Sequence, residues 1–189
     1  MTLRNTATSW GWPARILHWS MAALMLFMLG LGLYMTRLDD VFARFALTQT
    51  HKSWGFVVFA LACVRLAWRL SNREAPRDPQ GMKPWERALA RLSHWGFYLL
   101  MVALPLSGWL MASASPLQDS YGIRNMVFGL FELPDPFIPG DKGVEAAFKL
   151  IHNAAALALG LLLVLHVGAA LKHHFVLRDD VLKRMTFGR

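Results

Sequence analysis

Four long apolar segments constrain this chain more than any other feature of its sequence. They cover residues 16–35, 51–70, 92–111 and 151–171. Each segment is close to the ~20 residues that an α-helix needs to cross the hydrocarbon core of a bilayer. Backbone polar groups inside a bilayer must pair within their own segment when that segment is helical. The expected fold is therefore an all-α integral membrane protein, a bundle of four transmembrane helices.

The composition supports a membrane protein and argues against a nucleic-acid partner. Hydrophobic residues make up 55% of the 189 residues, and the mean hydropathy is +0.34, which is too apolar for an ordinary soluble domain. The formal net charge is +8, but the Lys and Arg residues lie beside the apolar segments and form no separate basic domain. We therefore expect membrane lipid around the chain. The first apolar segment lacks a clear cleavage site and is interpreted as a retained helix.

The distribution of positive charge predicts how the chain crosses the membrane. Most Lys and Arg residues lie before the first apolar segment, between the second and third, and after the fourth. By the positive-inside rule, both termini should be cytoplasmic. The chain is predicted to form a single membrane domain over residues 1–189. Its long outer loop, residues 113–150, contains an apolar patch at 126–133 that is a candidate lid.

Histidine is the residue type best placed to bind a metal. The lone cysteine, Cys63, lies inside an apolar segment, which excludes an intrachain disulfide and a cysteine-ligated cluster. A histidine at membrane depth often marks function, although a single one near a segment end is commonly an interfacial polar residue. All seven histidines lie in or beside the apolar segments: His18, His51, His94, His152, His166, His173 and His174.

The fourth segment carries two histidines at different depths. His152 and His166 are nearly four helical turns apart, so they share one helix face with a separation of roughly 21 Å. His51 lies at the outer level, with His152. His18 and His94 lie at the inner level, with His166. Histidines opposed at two depths predict two b-type haems between the helices.

Small residues and one arginine accompany these histidines. Gly160 continues the helix face of His152, and Gly55 continues that of His51, which suits the close approach of a flat macrocycle. Arg65 lies on the face of His51 at the inner level, where a haem propionate is its expected partner. The alternative for Arg65 is a side chain that snorkels to the interface. Zinc is less favoured, because it needs three or four ligands at one point.

An ordered set of short motifs runs through the chain. It consists of His18-Trp19, His51 with Arg65 and Arg69, Leu92-Ser93-His94 through Ala103-Leu104-Pro105 to Gly108, and His166 with His173-His174. In this order the motifs resemble the short bacterial cytochrome b561 proteins, whose characterised type is a superoxide:ubiquinone oxidoreductase. The resemblance covers nearly the whole chain, except the 113–150 loop.

The resemblance implies roles for individual histidines. His18 and His166 would ligate an inner haem b, and His51 and His152 an outer one. His94 matches a family histidine that is not an axial ligand, so it would be free for a quinone site. The enzyme would take electrons from superoxide outside, where Lys52, Lys142 and Lys149 attract anions, and reduce ubiquinone near the cytoplasmic side.

The quinone site is predicted from the chemistry of the reaction. A quinone takes up two electrons and two protons, so its site needs a hydrogen-bonding proton donor near the inner haem. His94 and Tyr98 share a face of the third helix, and His173 ends the fourth on the same membrane side. The alternative is that these three are ordinary interfacial residues.

Two other functions remain open at this point. One is a haem b subunit that passes electrons between the quinone pool and a dehydrogenase or hydrogenase partner protein. The other is a histidine-lined ion or proton carrier without haem. A reduced-minus-oxidised absorbance spectrum separates the last from the two haem functions.

Overall fold

The computed structural model describes residues 2–136 and 140–187, apart from the side chain of Asp119. Residues 137–139 of the predicted outer loop and the last two residues therefore lie outside the description. In chain order the elements are α1 (Trp12–Met35), α2 (Val41–Ser71), α3 (Pro84–Ser113), α4 (Leu117–Tyr121), β1 (Met126–Val127), β2 (Phe131–Glu132), α5 (Lys142–Leu171), a π-helical segment (Lys172–Leu177) and α6 (Val181–Thr186).

Four helices of the described chain are long and apolar enough to cross a membrane. They are α1, α2, α3, and α5 together with the π-helical segment. The predicted bundle of four transmembrane helices is confirmed. The helices extend beyond the predicted spans, because they are capped outside the apolar segments. The Asp40 carboxylate accepts hydrogen bonds from the backbone N–H groups of Phe42 and Ala43, at 2.9 and 3.1 Å.

Helix α5 begins in the same way. The carboxylate of Asp141 accepts hydrogen bonds from the backbone N–H groups of Gly143 and Val144, both at 3.0 Å. The predicted outer loop is shorter than 113–150 for this reason. His51 and His152, which stand at the predicted span starts, lie well inside α2 and α5.

The chain divides into two compact units, and each long helix contributes to both. We call the first the terminal unit; it consists of Met1–Ala23, Leu61–Leu99 and Leu159–Arg189. We call the second the loop unit; it consists of Leu24–Ala60 and Leu100–Ala158.

Both ends of the chain are tied to α1 in the terminal unit. Arg15, which is 8% exposed, donates from a guanidinium nitrogen to the carbonyl of Thr186 at 3.2 Å. The indole N–H of Trp19 donates to the carbonyl of Met185 at 3.1 Å. A Cβ atom at Gly11 would lie 2.3 Å from a backbone oxygen of the N-terminal segment, so only glycine fits there. These contacts hold the start of α1 in place around His18.

A polar network organises the connection after α3 in the loop unit. The side chain of Asn125 is fully buried, and its amide donates to the Ser113 hydroxyl at 3.2 Å and to the Asp135 carboxylate. The Gln118 amide donates to the same carboxylate at 3.0 Å. Buried polar groups are tolerated when they are paired in this way. The network fixes the two ends of the β-hairpin.

The predicted apolar patch at 126–133 forms the β1–β2 hairpin. Its turn residue Phe128 has a φ of +49°, which is rare for a residue with a side chain. Two contacts with α2 stabilise it: the Phe128 N–H donates to the Ser53 hydroxyl at 2.9 Å, and its ring packs edge-on against Trp54 with ring centres 5.5 Å apart. The hairpin is anchored on α2 at the turn that follows His51.

Removing the Ser53 hydroxyl should loosen this hairpin. Loss of the hydrogen bond costs about 1 kcal/mol, which corresponds to a roughly fivefold larger open population. We expect Ser53→Ala to increase the rate of proteolytic cleavage at 128–130 by about that factor. Thr50→Ala is the matched control, because the Thr50 hydroxyl bonds to the Ala46 carbonyl of its own helix. Equal cleavage rates in the two variants would contradict the anchoring role.

Candidate functional site

His51 and His152 lie together in the loop unit. Their ring centres are 6.3 Å apart and their planes cross at 76°. A metal held between two imidazole nitrogens at about 2 Å each places the ring centres roughly 6 Å apart. The separation therefore fits two axial ligands of one iron. That they bind an iron remains a prediction.

The hydrogen bonds of His152 identify its tautomer. Its Nδ1 lies 3.0 Å from the Leu104 carbonyl and 3.1 Å from the Ser107 hydroxyl. Because a carbonyl oxygen can only accept, Nδ1 carries the proton. The lone pair on Nε2 is then free for a metal. The Nδ1 atom of His51 is buried without a hydrogen-bond partner among the described residues, as is common at functional sites.

Two glycines allow these imidazoles to lie against neighbouring helices. A Cβ atom at Gly108 would lie 3.2 Å from Cε1 of His152, and one at Gly32 would lie 3.4 Å from Cε1 of His51. The contact at Gly108 is tighter than an ordinary van der Waals contact. Sequence reasoning missed the role of both glycines.

The glycines selected from the sequence have different surroundings. A Cβ atom at Gly55 would approach only the end of Met28, at 3.9 Å, and one at Gly160 would meet nothing within 4 Å. Open space beside Gly160 is compatible with the close approach of a macrocycle. Neither glycine is in contact with a histidine.

Three histidines meet in the terminal unit. The ring centre of His166 lies 6.1 Å from that of His18 and 5.7 Å from that of His94. Phe97 packs edge-on against His166 on another side, with ring centres 5.2 Å apart. Distance alone therefore allows either His18 or His94 to oppose His166. The choice of His18 rests on the resemblance in sequence and stays a prediction.

Arg65 contacts His18 directly. One guanidinium nitrogen lies 3.1 Å from Nδ1 of His18, and the guanidinium carbon lies 5.9 Å from the ring centre of Tyr98. A guanidinium can only donate, so Nδ1 of His18 accepts here and the proton is on Nε2. Ligation through Nε2 therefore requires Arg65 to leave His18. A haem propionate is a suitable new partner for Arg65, as the sequence predicts.

The predicted quinone-site residues have different environments. His94 is exposed at the protein surface beside His166, and Tyr98 is half-buried beneath Arg65. His173 contacts the Asp179 carboxylate through Nδ1, and the Asp179 N–H donates to the His173 carbonyl at 3.1 Å. His173 thus links the π-helical segment to Asp179, just beyond the end of that segment. The structure brings His94 to the histidine cluster and pairs His173 with Asp179.

A conventional metal site is absent from the part of the chain that the structure describes. No group of three or more His, Cys, Asp or Glu side chains there could hold a metal ion. A zinc site with three protein ligands finds no support in this arrangement. A haem needs only two axial side chains, because the macrocycle supplies the other ligands.

The chain is similar to known proteins over nearly its whole length. Residues 9–188 match the family described as prokaryotic cytochrome b561. Cytochrome b561 homolog 2 of Escherichia coli (strain K12) is 34% identical over 188 residues, which cover 98% of this chain and 95% of that protein. Cytochrome b561 homolog 1 of the same strain is 31% identical over 140 residues, 72% of this chain and 73% of that protein.

A third relative is named for an activity. The probable superoxide oxidase CybB of Yersinia pestis is 31% identical over 144 residues, which cover 71% of this chain and 72% of that protein. The family match includes all four membrane-spanning helices and both groups of histidines. The chain therefore belongs to the prokaryotic cytochrome b561 family of helical, multi-pass membrane proteins that bind haem b and transfer electrons.

Proposed function

We propose that this protein is a superoxide:ubiquinone oxidoreductase with two b haems. The observation that carries the proposal is the presence of a separate histidine group in each unit, with ring separations of 6.3 and 6.1 Å that suit an iron between two imidazoles. The name of the Yersinia relative supports the choice of superoxide as donor. The cytoplasmic termini are part of the proposal, on the basis of the charge distribution. The single domain and the bacterial inner membrane are also proposed, on the basis of the match to a prokaryotic family over residues 9–188.

The chain's own residues would hold the cofactors. His51 and His152 are the proposed axial ligands in the loop unit, and His18 and His166 those in the terminal unit. When bound, each haem iron supplies a one-electron carrier. Arg65 would neutralise a propionate after it releases His18.

The donor side would use charge to gather an anion. Superoxide gives up one electron and becomes dioxygen. Lys142 and Lys149 are exposed on α5, and Lys52 follows His51 on α2. Positive charges around an entry point raise the local concentration of a small anion and its rate of encounter.

The acceptor side would supply protons. One ubiquinone takes two electrons, from two superoxide anions, and two protons to give ubiquinol. His94 is the proposed donor of a hydrogen bond to a quinone carbonyl, because it is exposed at the protein surface and lies beside His166. Tyr98 would support it from the same helix face. His173, paired with Asp179, is the proposed proton source at the helix end.

A second candidate function is favoured by the β1–β2 hairpin. Leu130 and Phe131 are 80% and 55% exposed, which is unusual for apolar side chains outside a membrane-spanning helix. Such a surface suits a redox partner protein, for which this chain would act as a haem b subunit. Stable co-purification of a dehydrogenase or hydrogenase would favour this function over the stand-alone enzyme.

The activity can be tested with purified protein in lipid nanodiscs that contain ubiquinone. A superoxide generator should reduce the haem and then form one ubiquinol for every two superoxide anions consumed, because the electrons must balance. Haem absorbance and extraction of quinol measure the two steps. Superoxide dismutase should abolish both steps, and haem reduction that persists in its presence would exclude superoxide as the donor.

Haem content tests the architecture. Pyridine haemochrome analysis should give two haems per chain. We expect His152→Ala to remove one haem and His166→Ala to remove the other, because each loses an axial ligand. His173→Ala serves as the histidine control and should keep both haems, because the hydrogen bond of His173 is to Asp179. Retention of both haems in either ligand variant would contradict the assignment.

A comparison of two histidine variants distinguishes ligand from quinone-site residue in the terminal unit. His18→Ala should lose the haem there. His94→Ala should keep both haems and superoxide-driven haem reduction, but form quinol at least about 100-fold more slowly, as expected for a lost proton donor. Undiminished quinol formation in His94→Ala would remove His94 from the quinone site. Loss of a haem in His94→Ala, with retention in His18→Ala, would reverse the two roles.

A further inference from the structure

Ser107 is a buried polar residue beside His152. It is 3% exposed, and its hydroxyl lies 3.0 Å from the Leu104 carbonyl of its own helix. The same hydroxyl lies 3.1 Å from Nδ1 of His152, and Nδ1 lies 3.0 Å from the same carbonyl. One arrangement satisfies all three contacts: the hydroxyl and Nδ1 both donate to the carbonyl, and the hydroxyl oxygen also accepts from Nδ1.

This arrangement has an electronic consequence for the imidazole. A ring that donates from Nδ1 to strong acceptors becomes more basic at Nε2, and such partners orient a metal-ligating histidine. A more electron-rich axial ligand favours the oxidised iron. We propose that Ser107, together with the Leu104 carbonyl, is a positioning residue that fixes the tautomer of His152 and lowers the reduction potential of its haem. The inference rests on the proposed ligand role of His152.

The surroundings of the ring support a positioning role. The close contact at Gly108 means that the His152 ring lies against the backbone of α3, next to both acceptors. His18 in the terminal unit has the opposite partner, because Arg65 donates to its Nδ1. His152 and His18 therefore have hydrogen bonds of opposite polarity at Nδ1. The polarity at His152 leaves the Nε2 lone pair free for ligation, and the polarity at His18 does not.

The simpler explanation is that Ser107 only satisfies its own hydroxyl. Serine in a helix commonly bonds to a carbonyl of the preceding turn. Ser93 does this on the same helix, with its hydroxyl 2.9 Å from the Ala90 carbonyl. The bond from Ser93 matches that of Ser107 but involves no histidine, which makes Ser93→Ala a matched control.

The test is a potentiometric titration of the purified holoprotein, followed by haem absorbance. Ser107→Ala and Ser107→Val remove the hydroxyl, whereas Ser107→Thr keeps it with nearly the shape of valine. We expect one titrating component to move to higher potential in the Ala and Val variants. At a fixed ambient potential its reduced-to-oxidised ratio should rise about threefold, or roughly 30 mV at 59 mV per tenfold change. Ser107→Thr and Ser93→Ala should titrate like the native protein.

Each outcome decides for or against the role of the hydroxyl. If the Ala and Val variants lose one haem while Thr keeps both, the proposal is supported, because Thr and Val differ only in the hydroxyl. Native potentials in the Ala and Val variants with full haem content would overturn it. The proposal would also be overturned if Ser107→Thr showed a potential shift or haem loss as large as that of Ser107→Val. The same potential shift in Ser93→Ala would overturn it as well. The titration uses neither superoxide nor quinone, so its result is independent of the proposed substrates.

Discussion

The need to keep imidazoles inside a bilayer is the constraint on which the rest of this structure depends. A charged histidine at membrane depth is expensive, and a neutral one is better accommodated when polar partners lie beside its ring nitrogens. His152 meets the need with a carbonyl and a hydroxyl from α3, and His18 meets it with Arg65. The neutral imidazole is also the form that binds a metal. The same constraint thus explains the polar contacts beside His152 and His18, and at His152 it also leaves Nε2 free for a metal.

The contrast between the two partners gives the electron a preferred direction under the proposed function. Carbonyl and hydroxyl acceptors make His152 electron-rich, which opposes reduction in the loop unit. In the terminal unit, Arg65 would offset the negative charge of a propionate, which would otherwise oppose an added electron there. The two effects act together. An electron that enters at the loop unit would move to lower free energy at the terminal unit, where quinone reduction is proposed.

Much of this arrangement could be predicted because it depends on short stretches of sequence. Hydropathy over about 20 residues identifies the four spans. The rise per residue of a helix fixes the depth of each histidine, so His51 is expected at the level of His152, and both His18 and His94 at the level of His166. The choice of His18 over His94 comes from the resemblance in sequence and not from depth. The helix ends were harder, since the caps at Asp40 and Asp141 lie outside the apolar segments. An aspartate just before a helical pattern was an available signal for both.

Other features could not be predicted, because they depend on how the helices are rotated against one another. Gly32 and Gly108 are important only because histidines of neighbouring helices face them. The position of Ser107 beside His152 depends on the same rotation, as does that of Arg65 beside His18. The hairpin was missed as a strand pair because β1 and β2 have two residues each, too few for an alternating pattern. The apolar character of the hairpin can be recognised in the sequence, but its hydrogen bond to Ser53 cannot.

The mismatch between the two proposed substrates explains why one haem would not be enough. Superoxide delivers electrons one at a time, whereas conversion of ubiquinone to ubiquinol consumes two. A chain with a single carrier would have to hold a partly reduced quinone until a second superoxide arrived. Two histidine groups provide room for two electrons before the quinone reacts. Under the proposed function, the unit that contains His152 would accept electrons, and the unit that contains the exposed His94 would add protons.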